Sequence, residues 1–284
     1  MDSVIFQAMA VEVNRKFSGS RLDKIVQVSA GTLVFKLWTG REKVQLLFKA
    51  DGRGVFHQTG EAYPAPARPP RFCQLLRARL RRLINVQAEP LDRVVHLHFT
   101  GPDKEPYDLV FEAFGARGNL ILIDDAGRSV DLLFREEGKR KLMPGETYCL
   151  PEQKERLSLL GNGREVVDAL QAAEEQGGLE RVDIAPMSPA LAHEISMARQ
   201  SGQSFSAIIT RIRDIFHAGR FTPMRVTLNG QSGFLPLTLG EHGDAAEEFA
   251  DLSALVEAGL AEQKEESAKD FAARLAKVIK KQRK

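Results

Sequence analysis

Cysteine is nearly absent: Cys73 and Cys149 are the only two in 284 residues. Two cannot build a disulfide scaffold or a four-cysteine zinc site. No apolar run approaches the roughly 20 residues that a membrane-spanning helix needs, and the opening MDSVIFQAMAVEVNRKF lacks the basic stretch of a secretory signal. A dominant charge is lacking too. Forty Lys and Arg face 38 Asp and Glu, a net of +2, so bulk charge selects no partner and only its local distribution can. The glycine-lysine phosphate loop, the Gly-x-Ser-x-Gly nucleophile turn and a Cys–His pairing of recognisable spacing are missing. Hydrophobic residues at 43% and charged ones at 27% exclude wholesale disorder. Together these predict a soluble, cytoplasmic, thiol-reduced binding protein rather than an enzyme, with no membrane segment.

What is present reads as an α+β chain. Val4–Phe17 has apolar residues at helical spacing before a Ser18-Gly19-Ser20 break. Short runs at Leu22–Val28, Thr32–Trp38 and Val44–Lys49, parted by glycine turns, predict antiparallel strands. Gly60–Pro70, with prolines at 64, 66, 69 and 70, predicts an extended connector, because proline denies a sheet its donors. Pro69-Pro70 suits a helix start. The stripe Phe72, Leu75, Leu76, Leu80, Leu83 and Ile84 predicts one helix from Phe72 to Ile84 that buries it. Six arginines and no acid lie from Arg68 to Arg82, and Arg71, Arg77, Arg81 and Arg82 fall off the stripe, toward solvent. Strands resume at Arg93–Phe99, Tyr107–Glu112, Asn119–Ile123 and Val130–Phe134. Residues 1–150 thus predict an antiparallel β-sandwich with two helices.

Beyond Pro151 the pattern turns helical. Arg164–Glu175, a helix opening at Ser188-Pro189, and another carrying Phe205, Ile208, Ile209, Ile212 and Phe216 give a helical module over 151–220. Its last two members form a helical hairpin about Ser201-Gly202. Residues 221–248 read as an extended connector. Over 249–284 the seam Ala268, Phe271, Leu275 and Val278 is heptad-like. The end at Lys280–Lys284 has no helix stop, as in an interrupted coiled-coil arm, and the seam predicts self-association through this helix.

Three chemical motifs fail on inspection. His193-Glu194 starts a zinc-protease pattern, but Met197 stands where the second histidine belongs, so Glu194 is predicted to be a solvated helix residue. His96 and His98 alternate on one strand face with no carboxylate cluster nearby in sequence, which predicts plain surface histidines. Gly161-Asn162-Gly163 is a turn. What remains is the arginine-rich helix. It could hold phosphates through forked, charge-assisted hydrogen bonds, or be a solvated face paired with acids elsewhere.

At this point the residues resemble a known family. Pro69-Pro70-Arg71-Phe72-Cys73-Gln74-Leu75-Leu76-Arg77, followed by Leu91-Asp92-Arg93-Val94-Val95, is similar to the hallmark of NFACT-N domains of ribosome quality-control proteins, a family also called fibronectin-binding protein A. Supporting segments stand in order: Val11–Gly19 with Arg21-Leu22-Asp23-Lys24-Ile25, Glu112–Leu122, and Ser188–Ile195, which resembles the start of the family's helix-hairpin-helix module. The resemblance implies a sandwich like that of formamidopyrimidine-DNA glycosylases, then a helix-hairpin-helix module and the first arm of a coiled coil. It also implies binding to tRNA and the large ribosomal subunit with its rRNA, during rescue of stalled ribosomes, with alanine tailing in full-length relatives. It places tRNA engagement on Asp92, Arg93 and Glu112 and adds Arg53 to Arg71, Arg77 and Arg81 of the arginine-rich stretch as candidate phosphate contacts; the missing and failed motifs predict no catalytic residue, cofactor or metal. Glu112-Ala113-Phe114 keeps only the glutamate of the family's second motif, and in Asp51-Gly52-Arg53-Gly54 only Arg53 corresponds. The glycosylase reaction is not expected, because Met1-Asp2-Ser3 offers no N-terminal proline nucleophile. Two other readings are a fibronectin-binding surface adhesin, expected to carry a signal or anchor, and a catalytically dead DNA-binding glycosylase relative.

Overall fold

The computed structural model describes residues 2–264 except 53, 115–117, 137–139, 153–154, 162, 180–181, 229 and 241–245. Helix α1 (Ser3–Phe17) opens the chain, capped by Asp2, whose Oδ1 accepts the Ile5 N–H at 3.0 Å. Strands β1 (Arg21–Gln27), β2 (Thr32–Trp38), β3 (Lys43–Lys49) and β4 (Val55–Gln58) form a meander. Helix α2 (Arg71–Arg79) follows the proline connector. A second meander runs through β5 (Arg82–Ala88), β6 (Val94–Thr100), β7 (Pro106–Glu112), β8 (Asn119–Ile123) and β9 (Ser129–Leu132).

All nine strands form one antiparallel sheet in the order β4-β3-β2-β1-β5-β6-β7-β8-β9. β3 and β7 stand five places apart, about 24 Å in a flat sheet at ordinary strand spacing. Yet the rings of Phe48 on β3 and Phe111 on β7 lie 5.5 Å apart, and Phe35 on β2 and Phe99 on β6 lie 6.3 Å apart. The sheet therefore folds over on itself, and the sandwich predicted from the sequence is made of its two halves.

The fold line is where β1 meets β5, a pairing confined to Arg21 and Arg82. Beyond it the two strands part, and the helices take up the exposed backbone groups. On the β5 side, Asn14 of α1 accepts the Val86 N–H at 2.8 Å. On the β1 side, Arg77 of α2 donates from Nε and Nη2 to the Ile25 carbonyl at 2.8 and 2.5 Å. A sheet edge inside a core must find such partners. Apolar residues occur nearly all round α1, and Val4, Ile5, Phe6, Ala8, Met9, Ala10 and Val13 are buried, as a central helix requires.

Helix α2 is shorter than its stripe predicts. It ends at Leu80, whose backbone is extended, and Leu83 is buried as a strand residue while Ile84 is 43% exposed. Leu76, Leu80 and Leu83 fit a helical period and also an α-to-β crossing, and pairing with β6 decides between them. Phe72, Leu76 and Leu80 are buried as expected, and Leu75 is half-buried. Arg93 likewise precedes its strand rather than opening it.

The remaining chain holds β10 (Leu157–Ser158), α3 (Gly163–Glu175), β11 (Ile184–Ala185), α4 (Pro189–Gln200) and α5 (Phe205–Ala218). Ser188 and Ser204 cap α4 and α5, and residues 201–204 join the two helices. The supposed connector is instead a small sheet, in which β12 (Met224–Leu228) pairs with β13 (Gln231–Leu235) and β14 (Ala246–Glu248). Helix α6 covers 252–264. Asp251 accepts the Ala254 N–H at 2.9 Å, and Leu252, Leu255 and Val256 are buried in the main core. The predicted seam Ala268, Phe271, Leu275 and Val278 lies outside the described residues.

Candidate nucleic-acid interface

Residues 89–93 connect β5 to β6 as a tight turn closed by the Glu89 N–H on the Val94 carbonyl at 2.8 Å. The Asp92 carboxylate accepts the N–H of the next residue, Arg93, at 2.7 Å, and the chain bends at these two residues just before β6. From beneath, Gln7 of α1, 6% exposed, donates its Nε2 to the carbonyl of Glu89 and, at 3.4 Å, to that of Asp92. The Arg93 carbonyl accepts from Ala113 N at 2.9 Å, tying the turn to the end of β7. Its backbone is thus fixed from three sides. Because Asp92 and Arg93 lie in a bend, strand alternation does not send them to opposite faces, and both border one recess of about 330 Å3 with Arg156 and the β11 segment.

Arg93 also borders a larger cavity of about 820 Å3, bounded by Asp2, Gly52, the β12–β13 hairpin and α6. It therefore stands where the sandwich, the helical module and the C-terminal elements meet, the kind of junction at which ligands collect. Burial holds the Asp2 carboxyl above its ordinary value of 3.8, with the Ile5 N–H and the charge of Arg93 pulling the other way. The β3–β4 turn reaches the cavity through Gly52. At Gly54, with φ +62°, a Cβ would lie 2.6 Å from the Ala113 Cα, so the turn is wedged against the sheet. Arg53 lies outside the described residues.

Glu112 is not brought to this turn. Its partner across the ladder is Val94, and Val94 belongs to a second core on the outer face of β6–β9. Glu112 is 1% exposed. Arg140 grips it as a fork, Nη1 to Oε2 at 3.0 Å and Nη2 to Oε1, and the Tyr148 hydroxyl donates to Oε1 at 2.8 Å. Burial and the adjacent Glu112 charge raise the Tyr148 pKa far above its ordinary 10. Arg140 and Tyr148 carry no pattern that sequence reasoning could have used.

The arginines of α2 are largely spoken for. Arg71 pairs with the buried Asp131 at 2.7 Å while its own side chain stays 68% exposed. Arg77, expected in solvent, is half-buried, because its guanidinium caps the Ile25 carbonyl. Arg81 is exposed, and its Nη1 closes the helix end on the carbonyls of Arg77 and Leu80. This is capping chemistry, and it leaves only the outward edges of these groups to a ligand.

Two other expectations are corrected. His96 is no plain surface histidine: its Nδ1 meets Asp108 at 2.6 Å and its Nε2 meets Glu89 at 3.2 Å. Burial lowers its pKa, but the hydrogen bond and charge of Asp108 and the charge of Glu89 outweigh it, and the net shift is upward. Among the described residues no His, Cys, Asp and Glu group is arranged to hold a metal. Glu194, expected in solvent, is 1% exposed and accepts the N–H groups of Leu239 and Gly240 and the Thr238 hydroxyl. It fastens the chain after β13 onto α4, work that its i, i+1 place beside His193 does not reveal.

Comparison with known proteins gives a consistent picture. The family model for NFACT N-terminal and middle domains matches residues 2–284. The Rqc2 homolog RqcH of Bacillus subtilis is 26% identical over 276 residues, covering 90% of this chain and 48% of that protein, so the chain spans about half the relative's length. Among solved structures, the N-terminal part of the fibronectin/fibrinogen-binding protein from Streptococcus suis superposes with a TM-score of 0.73 at 19% identity, over 92% of this chain and 99% of that one. The fibrinogen-binding protein from Staphylococcus aureus does so with a TM-score of 0.69 at 19% identity, over 90% and 97%. At such identity these two likenesses bear on the fold alone.

Proposed function

Because the chain belongs to the NFACT family, matched across its N-terminal and middle domains, we propose that it is a non-enzymatic tRNA- and large-ribosomal-subunit-binding module of ribosome quality control. The observation that carries this reading is the 89–93 turn. Its backbone is held by a buried glutamine, and an acceptor and a forked donor border one recess at a junction of the fold. Arg suits phosphate or base-edge recognition, and Asp suits amino or ribose hydroxyl groups. The fold is that of an α+β sandwich whose middle domain carries the α4–α5 pair, read here as the family's helix-hairpin-helix, and α6 starts the coiled-coil arm.

Arg93→Ala tests this. Loss of one charge-assisted contact should weaken tRNA binding by roughly 1.5–3 kcal/mol, with little change in melting temperature, since Arg93 is only half-buried and a partly exposed charge contributes only about 0–1 kcal/mol to stability. If stability falls by about 3–5 kcal/mol while tRNA affinity per folded molecule is unchanged, Arg93 is a structural bridge and the reading fails. Equal affinity for duplex DNA and tRNA would favour the glycosylase-relative reading instead. Binding to immobilised fibronectin without binding to tRNA would favour the adhesin.

A further inference from the structure

The cations of this chain are gathered in one part of it. Between Arg15 and Arg82 lie 15 of the 40 Lys and Arg but only four of the 38 Asp and Glu, a local net of +11 in a molecule whose total is +2. That stretch runs from the end of α1 through the β1–β4 meander and α2 to the first residue of β5.

Part of this charge stands on a single face. Leu33, Phe35 and Leu37 point into the main core, while Val26, Val34 and Leu47 pack together on the other side. Alternation and register then place Lys24, Lys36, Trp38 and Lys43 on that outer side. Tyr63 of the proline connector covers the valine end of the face. Toward the other end, Lys24 and Lys43 are exposed and Lys36 and Trp38 are half-buried.

The pairing on this face opposes like charges. Lys24 stands directly across from Lys36, and Arg21 directly across from Arg82. Such pairs destabilise a sheet. Arg21 has Asp23 at 3.0 Å, but among the described residues no carboxylate is within salt-bridge distance of Lys24, Lys36, Lys43 or Arg82. A bound polyanion would turn this repulsion into attraction. Trp38, the only tryptophan of the chain, sits between Arg21 on β1 and Lys43 on β3.

We propose that the outer face of β1–β3 is a second RNA-binding surface that takes an unpaired strand. Its phosphates lie on Lys24, Lys36 and Lys43, and one base stacks on Trp38. Cations interleaved with an aromatic ring are how single strands are held without sequence readout. An acidic polypeptide would use the lysines but not the tryptophan between them. The surface lies on the opposite half of the sheet from the 89–93 turn and does not depend on it.

The single tryptophan serves as reporter. The full chain is titrated with an oligouridylate about 20 nucleotides long, followed by Trp38 emission and by polarisation of the labelled RNA. Lys24→Glu puts an acid opposite Lys36. It should weaken binding about tenfold and flatten the log–log salt dependence by about 0.7 for each phosphate no longer neutralised, while the melting temperature stays level or rises as the repulsion is relieved. Lys43→Gln should act in the same direction, and Arg93→Ala should leave oligouridylate binding unchanged. Unaltered affinity and salt slope in both lysine variants would overturn the proposal. So would loss of oligouridylate binding in Arg93→Ala alone, or equal displacement of the RNA by polyglutamate. Loss of tRNA binding in Arg93→Ala with oligouridylate binding intact separates the two sites.

Discussion

Arg140 should contribute more to stability than any exposed arginine of the chain, because it neutralises a carboxylate that water does not reach. Glu112 is 1% exposed, whereas the Arg140 side chain keeps 19% of its surface. The guanidinium also donates Nε to the Cys149 carbonyl at 2.8 Å and lies 5.2 Å from the centre of the Tyr148 ring. Arg140→Met keeps the stem and removes the charge, leaving Glu112 with the Tyr148 hydroxyl alone. Removing one partner of a buried pair costs about 3–5 kcal/mol. The Tyr148 bond and partial water access at Arg140 argue for the lower end, about 3 kcal/mol, or roughly 6–12 °C of melting temperature at about 2–4 °C per kcal/mol. Glu112→Met strands the cation instead, but Arg140 can turn toward solvent, so the loss should be smaller, about 1–2 kcal/mol. The double variant leaves no unpaired charge, and the two losses should fall short of additivity by about 2 kcal/mol. Thermal melts of the four proteins decide it. Additive losses, or a drop below about 2 °C for Arg140→Met, would refute the reasoning. The resemblance assigns Glu112 to tRNA, whereas its burial predicts unchanged tRNA affinity per folded molecule in these variants.

Two further outcomes follow from buried polar groups. Glu194→Ala leaves the N–H groups of buried Leu239 and exposed Gly240 without their acceptor; at about 1–3 kcal/mol for one orphaned buried group, chemical denaturation should show a loss of about 1–3 kcal/mol, and no measurable change would contradict the assignment. His96 is held above its ordinary 6.5 in the fold despite the downward pull of burial, so its stabilising contribution is complete below about pH 6.5 and fades as pH rises through the folded value. His96→Gln should therefore lose more stability at about pH 6 than at about pH 8, and equal losses at the two would show that Asp108 and Glu89 do not act on its titration.

Much of the sandwich was legible because its strands alternate and its turns carry glycine. The failures have specific causes. Leu76, Leu80 and Leu83 satisfy a helix as well as a crossing into β5, and only the β6 partner settles the matter. The small sheet after residue 221 did have a local signal, the Asn229-Gly230 pair between two apolar runs. Its strands are short and one-sided, and they exist because β14 and α6 supply the other partners. That the nine strands are one folded sheet could not be read at all, since it depends on β1 and β5 meeting once and then parting.

For the candidate site the division is sharper. Arginine is visible in a sequence, but its occupation is not. Arg77 and Arg81 read as phosphate ligands by type and periodicity, yet each is drawn to a main-chain carbonyl that a helix end or a diverging strand leaves open. The geometry of Asp92 and Arg93 is set by Gln7, 82 residues upstream of the carbonyl it holds, with no spacing rule to link them. Lys24 and Lys36 give the reverse case: unremarkable singly, they become informative once register places them face to face. A charge whose hydrogen bonds close the fold's own gaps is satisfied at home. A charge set against its like with no acid in reach has its favourable partner outside the molecule, and it is there that a ligand gains most by binding.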